Sequence, residues 1–369
     1  MKYYLIAGEA SGDLYGALLI RALQAEDHGA QFRFWGGDVM SAEAGASPVR
    51  HIRDLAIMGF VEVVEHLDTV LGNLRFCKQD ILSFQPDVVV GIDYPGFNLK
   101  IEKWAHGRGL HTVHYISPNL WAWKKDRIRG MRKSLDRLCY ILPFEEQFFA
   151  ENNMPQAVYV GHPLLDAITD YHAPDAQKRQ DIIALLPGSR RQELKHTLPL
   201  MVQLAAKHPE FQFKVAGMSM LGAELYNRYI PAKGNIEVLY DQTYSLLSQA
   251  HAAVVCSGTA TLEAALFDVP QVVCYRANPV SIAIAKSIVS RRIQYISLVN
   301  LIANQTVVTE LIQEDFNTTR LDEEFCHITK DATVRARMLD QYARMRQQLG
   351  DGGASRHTAQ EIVKVSQNR

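Results

Sequence analysis

Ala252-Ala253-Val254-Val255-Cys256-Ser257-Gly258-Thr259-Ala260-Thr261-Leu262-Glu263 carries a short apolar run through Ser-Gly-Thr into a helical pattern. An unbroken apolar run of this length reads as a strand buried on both faces, the habit of a parallel sheet. Ser257, Gly258 and Thr259 supply a tight turn and capping hydroxyls, and Glu263 falls on the first turns of the helix. A helix N-terminus presents N–H groups and partial positive charge, so the turn suits phosphate. A carboxylate one turn further in can accept hydrogen bonds from vicinal ribose hydroxyls. The same pattern also describes an ordinary capped turn, so the remainder of the chain has to decide.

The strand-then-helix theme recurs on both sides of this stretch. Strands are expected at Tyr3 to Ala7, Phe32 to Trp35, Asp87 to Ile92, His111 to Tyr115, Arg137 to Leu142 and Ala157 to Val160, with a helix at Asp13 to Gln24. A polar stretch from Asp166 to Asp181 reads as a linker. The theme restarts with strands at Ile182 to Leu186, Phe211 to Ala216, Ile236 to Tyr240 and Gln271 to Tyr275, a helix at Leu194 to Lys207, and a charged helical end from Asp322. Strands alternating with helices imply α/β architecture with doubly wound parallel sheets. A chain of 369 residues is long for one core, and two such domains are expected, with ligands beyond the carboxyl ends of the strands.

Composition narrows the class. Hydrophobic residues make up 47% and charged residues 21%, and the formal net charge of −1 gives no reason to expect nucleic acid. The five cysteines, at 77, 139, 256, 274 and 326, form no CxxC pair and fit a reducing cytosol better than disulfides or a cysteine zinc site. Met1 to Gly8 reads as a strand start and not a signal peptide, and no apolar run is long enough to span a bilayer. A cytoplasmic protein is expected, with no cofactor and no metal. His111 and His114 read as strand-packing residues.

Three further loops follow strands. Gly8-Glu9-Ala10-Ser11-Gly12-Asp13 lacks the dinucleotide spacing and puts Glu9 where pyrophosphate would lie, leaving a capping turn or a polar substrate loop. Gly91-Ile92-Asp93-Tyr94-Pro95-Gly96-Phe97-Asn98 places Asp93 at a strand end, as a turn cap or as a general base toward a sugar hydroxyl. Leu186-Pro187-Gly188-Ser189-Arg190 puts a guanidinium beside a Gly-Ser turn, suited to a diphosphate leaving group. Ser189, Arg190, Ser257, Gly258, Thr259 and Glu263 together would make a nucleotide diphosphate site. Two segments also suit a lipid interface. Leu55 to Leu74 is rich in apolar residues, including Ile57, Met58, Phe60, Val61, Val64, Leu67 and Leu71, and Trp121-Ala122-Trp123 adjoins a basic run to Arg129. A core helix and a solvated basic helix start are the alternatives.

Taken in order, these loops, with Tyr115-Ile116-Ser117-Pro118, Leu142-Pro143-Phe144-Glu145, Gly161-His162-Pro163, Ser297-Leu298 and Asn300-Leu301-Ile302-Ala303, closely resemble the lipid A disaccharide synthase family from Leu5 to about Leu311. The resemblance implies GT-B architecture: two Rossmann-like domains, 1–168 and 169–339, facing each other across a cleft, with a terminal helix 340–369 crossing back to the first. It implies an inverting, metal-independent glycosyl transfer. UDP-2,3-diacylglucosamine and 2,3-diacylglucosamine 1-phosphate (lipid X) would give a β-1,6-linked disaccharide phosphate and UDP. Asp93 and Arg190 match the family's catalytic carboxylate and cleft arginine, and Asn300 a further cleft position. Gly8, Glu9 and Ser11 would lie on the acceptor side, and Leu55 to Leu74 would touch acyl chains or the cytoplasmic face of the inner membrane peripherally. Gly96 stands where many relatives carry a second Asp, and Val299 where Pro is common. A UDP-sugar 2-epimerase of the same frame and a non-catalytic nucleotide-sugar sensor are the rival readings. No oligomeric state follows from the sequence.

Overall fold

A computed structural model describes residues 1–55, 67–121, 126–171, 181–276 and 294–367. Ile57, Met58, Phe60, Val61, Val64 and the aromatic-basic run at 122–125 lie outside the described residues, as does 172–180 of the expected linker. The chain divides into two compact units, Met1–Ala167 with Leu349–Arg369, and Ile168–Gln348.

Among the described residues the first unit holds seven strands: β1 Lys2–Ala7, β2 Gln31–Gly36, β3 Arg50–His51, β4 Val88–Ile92, β5 His111–Tyr115, β6 Arg137–Tyr140 and β7 Ala157–Tyr159. Their order is β3-β2-β1-β4-β5-β6-β7 and every pairing is parallel. All five residues of β4 are buried, as a β-branched strand covered on both faces requires. On one face Tyr4, Ile6, Val89 and Trp35 pack against Cys77 and Ile81 of the helix Leu67–Phe84 and against Phe97 and Ile101 of the helix Pro95–His106. Each fully buried Val, Ile or Phe side chain contributes about 1.5–3 kcal/mol. The helix Ala10–Glu26 packs against the last helix, Ala354–Gln367, which also touches β5 and β6.

The second unit holds β8 Ile182–Leu186, β9 Gln212–Gly217, β10 Ile236–Tyr240, β11 Ala252–Cys256, β12 Gln271–Tyr275 and β13 Glu310–Ile312, in the order β10-β9-β8-β11-β12-β13, all parallel. The expected single helix 340–369 is instead two, Ala332–Leu349 and Ala354–Gln367. Gly350, Gly352 and Gly353, all at positive φ, separate them, a conformation that costs glycine little and ends a helix. The edge strands β3 and β13, two and three residues long, are too short to show as apolar runs.

Candidate active site

In each sheet the strand order reverses direction at one place, between β1 and β4 in the first unit and between β8 and β11 in the second. Helices leave such neighbouring strands in opposite senses, which opens a crevice at their carboxyl ends.

In the first unit, Ala7 pairs with Ile92, so the loop after β1 meets the loop after β4. Asp93 and Tyr94 both adopt the left-handed region, at φ +48° and +49°, an unfavourable conformation for residues with side chains that the surroundings must enforce. The Asp93 N–H donates to Tyr115 O at 2.8 Å. The wholly buried Asn98 side-chain amide donates to Asp93 O at 2.8 Å and to Ile6 O at 3.0 Å, tying the two strand ends together. Asn98 closes the quoted Asp93 loop, yet its role needs the β1–β4 pairing to become visible. Ile116, after the next strand, is a third residue at positive φ, +73°.

Gly8 makes room for a neighbouring ring: a Cβ there would lie 2.5 Å from Cγ of Tyr94. Glu9 is the N-cap residue of the helix Ala10–Glu26, without a side-chain cap bond; burial raises the Tyr94 hydroxyl pKa, and the Glu9 charge adds to it. Ser11 is half-buried in the first turn of the same helix. Asp13, within the helix Ala10–Glu26, caps another helix: its carboxylate accepts from Gly37, Val39 and Met40 N–H at 2.6–3.1 Å, at the start of the helix Asp38–Ala44. His114 packs within the sheet as expected, with Nδ1 2.7 Å from the buried Glu102.

In the second unit, Val255 pairs with Leu186, which brings the Gly188-Ser189-Arg190 loop beside Ser257-Gly258-Thr259. Burial pushes the Cys256 thiol up to about 12; Glu193 raises it further and Arg190 lowers it, so both charges act at the end of β11. Arg190 is the N-cap residue of the helix Arg191–Lys207, its side chain 48% exposed and 3.6 Å from Glu193. The Glu193 carboxylate folds back to accept from the N–H groups of Ser189 and Arg190, at 3.0 and 3.2 Å. Those two amides therefore face a carboxylate of the protein, and the guanidinium remains the loop's cationic group. An N-cap residue followed three places later by Glu is a visible signature that marks Glu193 in the sequence.

The helix Thr259–Leu266 starts with no side-chain cap at Gly258. The Ser257 hydroxyl, expected to cap it, donates instead to Ile296 O at 3.0 Å. The Thr261 N–H donates to Gly258 O at 3.2 Å, so the Thr259 and Ala260 N–H groups are those of the first turn that suit an anion. Glu263, half-buried in the second turn, accepts from the Tyr244 hydroxyl at 3.3 Å. Tyr244 in turn packs on Phe267 and Tyr171. Desolvation there raises the Glu263 carboxyl to about 7, against the smaller opposing effect of the tyrosine bond.

Asn300 does not serve as an open polar position. It is fully buried; its amide nitrogen donates to Val308 O and Glu310 at 2.9 Å each, and its oxygen accepts from Val307 and Val308 N–H. Glu310 also accepts from Ile296 N–H and from the backbone and hydroxyl of Ser297. Every polar group of the Asn300 side chain is committed to holding the loop before β13. Of the proposed lipid-facing residues, Leu71 is 41% exposed on the helix that Leu67 opens. No helix among the described residues is long and apolar enough to cross a membrane.

Comparison with known proteins adds three findings. Residues 3–363 match the family model described as lipid-A-disaccharide synthetase. The lipid-A-disaccharide synthases of Trichlorobacter lovleyi and Alcanivorax borkumensis are 34% and 37% identical, covering 99% and 98% of this chain and 97% and 96% of theirs. Among solved structures, the UDP-GlcNAc 2-epimerase of Neisseria meningitidis bound to UDP-GlcNAc superposes with TM-score 0.67 at 15% identity, covering 99% of this chain and all of that one. The calicheamicin glycosyltransferase CalG4 superposes at 0.60 and 17%, covering 98% of each chain. These neighbours share the GT-B-like fold with this chain and, at such identities, nothing more specific.

Proposed function

The chain belongs to the lipid-A-disaccharide synthetase family, and from that premise we propose how its loops divide the reaction. Its activity is that of a lipid-A-disaccharide synthase, a glycosyltransferase of lipid A biosynthesis acting on lipid A precursors. The epimerase reading loses its support: epimerases resemble this chain in fold, whereas the relatives above 30% identity across nearly the whole length are synthases.

In our reading the donor is UDP-2,3-diacylglucosamine, held by the second unit. The Arg190 guanidinium and the start of the helix Thr259–Leu266 neutralise the diphosphate as it departs, and Glu263 accepts from the ribose hydroxyls. The acceptor is lipid X, on the first unit, with Glu9 and Ser11 as its polar contacts. Asp93 takes the proton from the attacking hydroxyl as that oxygen bonds to the anomeric carbon and the bond to UDP breaks, inverting the centre. Acyl chains and the cytoplasmic face of the inner membrane are met peripherally, around Leu55 to Leu74.

The observation that carries the base assignment is the enforced left-handed backbone of Asp93 at the strand-order reversal, fixed by Tyr115 O and by Asn98. Asp93→Asn should lower kcat about 10²–10⁴-fold with UDP affinity unchanged. Equal loss of both would remove Asp93 from the chemistry. Arg190→Ala should weaken UDP binding together with rate, and unchanged UDP affinity would remove it from the diphosphate.

A further inference from the structure

The helix Arg191–Lys207 ends at His208, shortly before β9, at the amino-terminal end of the strands of the second sheet, opposite the loops just described. There His208 meets the helix Thr318–Lys330, which turns Asp322 and Cys326 toward it from one face, four residues apart. A His nitrogen, an Asp oxygen and the Cys326 Sγ all lie within 4.8 Å of one another. We propose that His208, Asp322 and Cys326 bind a zinc ion through imidazole Nε2, carboxylate Oδ1 and thiolate, with water as the fourth ligand.

The chemistry of the donors selects the metal. Thiolate and imidazole together suit Zn²⁺ and do not suit Mg²⁺ or Ca²⁺; ligand bonds of about 2.0–2.3 Å set donors about 3–4 Å apart, so Nε2 and Oδ1, now 2.6 Å apart, separate slightly to admit the ion. The surrounding contacts match as well. Nε2 of His208 lies 2.6 Å from Asp322 Oδ1, and Nδ1 lies 3.1 Å from Glu210 Oε1. A zinc ligand of this kind commonly donates its other ring N–H to a carboxylate, which leaves the coordinating nitrogen its lone pair. The ring is further held by Phe325, with centroids 4.8 Å apart. Lys207 bonds the other oxygen of Asp322, Oδ2, at 3.0 Å, so Oδ1 need give up only its contact to His208. Lys330, 3.7 Å from Glu210, balances that carboxylate. Cys326 is half-exposed while the other four cysteines are buried, so an ion arriving from solvent reaches this thiol alone. The metal takes the place of the Cys326 thiol proton, released to solvent, and of the Nε2 proton that donates to Asp322 Oδ1, leaving the imidazole with its Nδ1 proton facing Glu210. The ion would join the end of one helix to the face of another and stabilise the second unit without entering glycosyl transfer.

The test uses full-length, reduced, chelator-treated protein titrated with Co²⁺ and then Zn²⁺. One equivalent of Co²⁺ should give the visible bands of a four-coordinate site and a near-ultraviolet thiolate-to-cobalt band, both abolished by Zn²⁺. Cys326→Ser should lose the thiolate band, and Glu210→Gln should weaken metal affinity about 10–100-fold. In the unmutated protein, Zn²⁺ should slow carboxymethylation of Cys326 at least about tenfold, a readout independent of whether the variants fold. Absence of a thiolate band, its survival in Cys326→Ser, or alkylation indifferent to Zn²⁺ would each overturn the assignment.

Discussion

Glu145 begins the helix Glu145–Glu151 and is 1% exposed. Burial raises its carboxyl from 4.5 to about 8, outweighing the hydrogen bond from Leu142 N–H at 3.2 Å. The protonated acid is therefore the form this pocket favours. Because the folded value lies above the unfolded one, its contribution to stability is complete below about pH 4.5 and is lost as pH rises through about 8. Glu145→Gln keeps the shape and removes the ionisation. Relative to the unmutated protein, the variant should gain stability steadily across that window, by a few kcal/mol at its top, since each tenfold change in proton affinity is worth on the order of 1.4 kcal/mol. Urea midpoints at pH 5 and pH 9 measure this, and a difference independent of pH would refute it. At this same scale Gly96 is not imposed by close packing: a Cβ there meets nothing within 4 Å.

At the scale of the element, the turn from β8 into the helix Arg191–Lys207 depends on one glycine. Gly188 has φ +106°, and a Cβ there would lie 2.4 Å from Oε2 and 2.7 Å from Cβ of Glu193. The position serves the return of Glu193 onto the Ser189 and Arg190 amides, the same return that closes the start of the helix. Gly188→Ala should cost about 1–3 kcal/mol through backbone strain and displacement of that carboxylate. Denaturant unfolding reads the loss, and a variant of unchanged stability would contradict this account of the loop. The sequence shows a Gly-Ser turn and an arginine here. It also carries the capping spacing, but not the fact that the carboxylate occupies amides otherwise suited to phosphate.

At the scale of the whole molecule, the chain returns to its first unit after completing its second. Asp166 accepts from Gly353 and Ser355 N–H at 2.6 and 2.8 Å, and the last helix buries Ala354, Ala359 and Ile362. A chain ending at Leu349 should lose amide exchange protection in β5 and β6, against which that helix packs, while β8 and β11 keep theirs. Undiminished protection in β5 and β6 would show the returning helix to be dispensable.

The apolar runs, the glycine-bearing turns and the helical periodicities are properties of neighbours along the chain. They suffice for eleven of the strands among the described residues, for the parallel α/β class, for the loops that carry Asp93 and Arg190 and for the turn into the helix that carries Glu263. Partnership across the chain is a different matter, because it follows from which strands lie side by side. Only the pairing of β1 with β4 sets Tyr94 over Gly8 and brings Asn98 to Ile6 O, and only the packing around β13 commits Asn300 to its own loop. His208 and Asp322, 114 residues apart, meet for the same reason. Local spacing fixes what an element is; the crossovers between strands fix what each of its side chains touches.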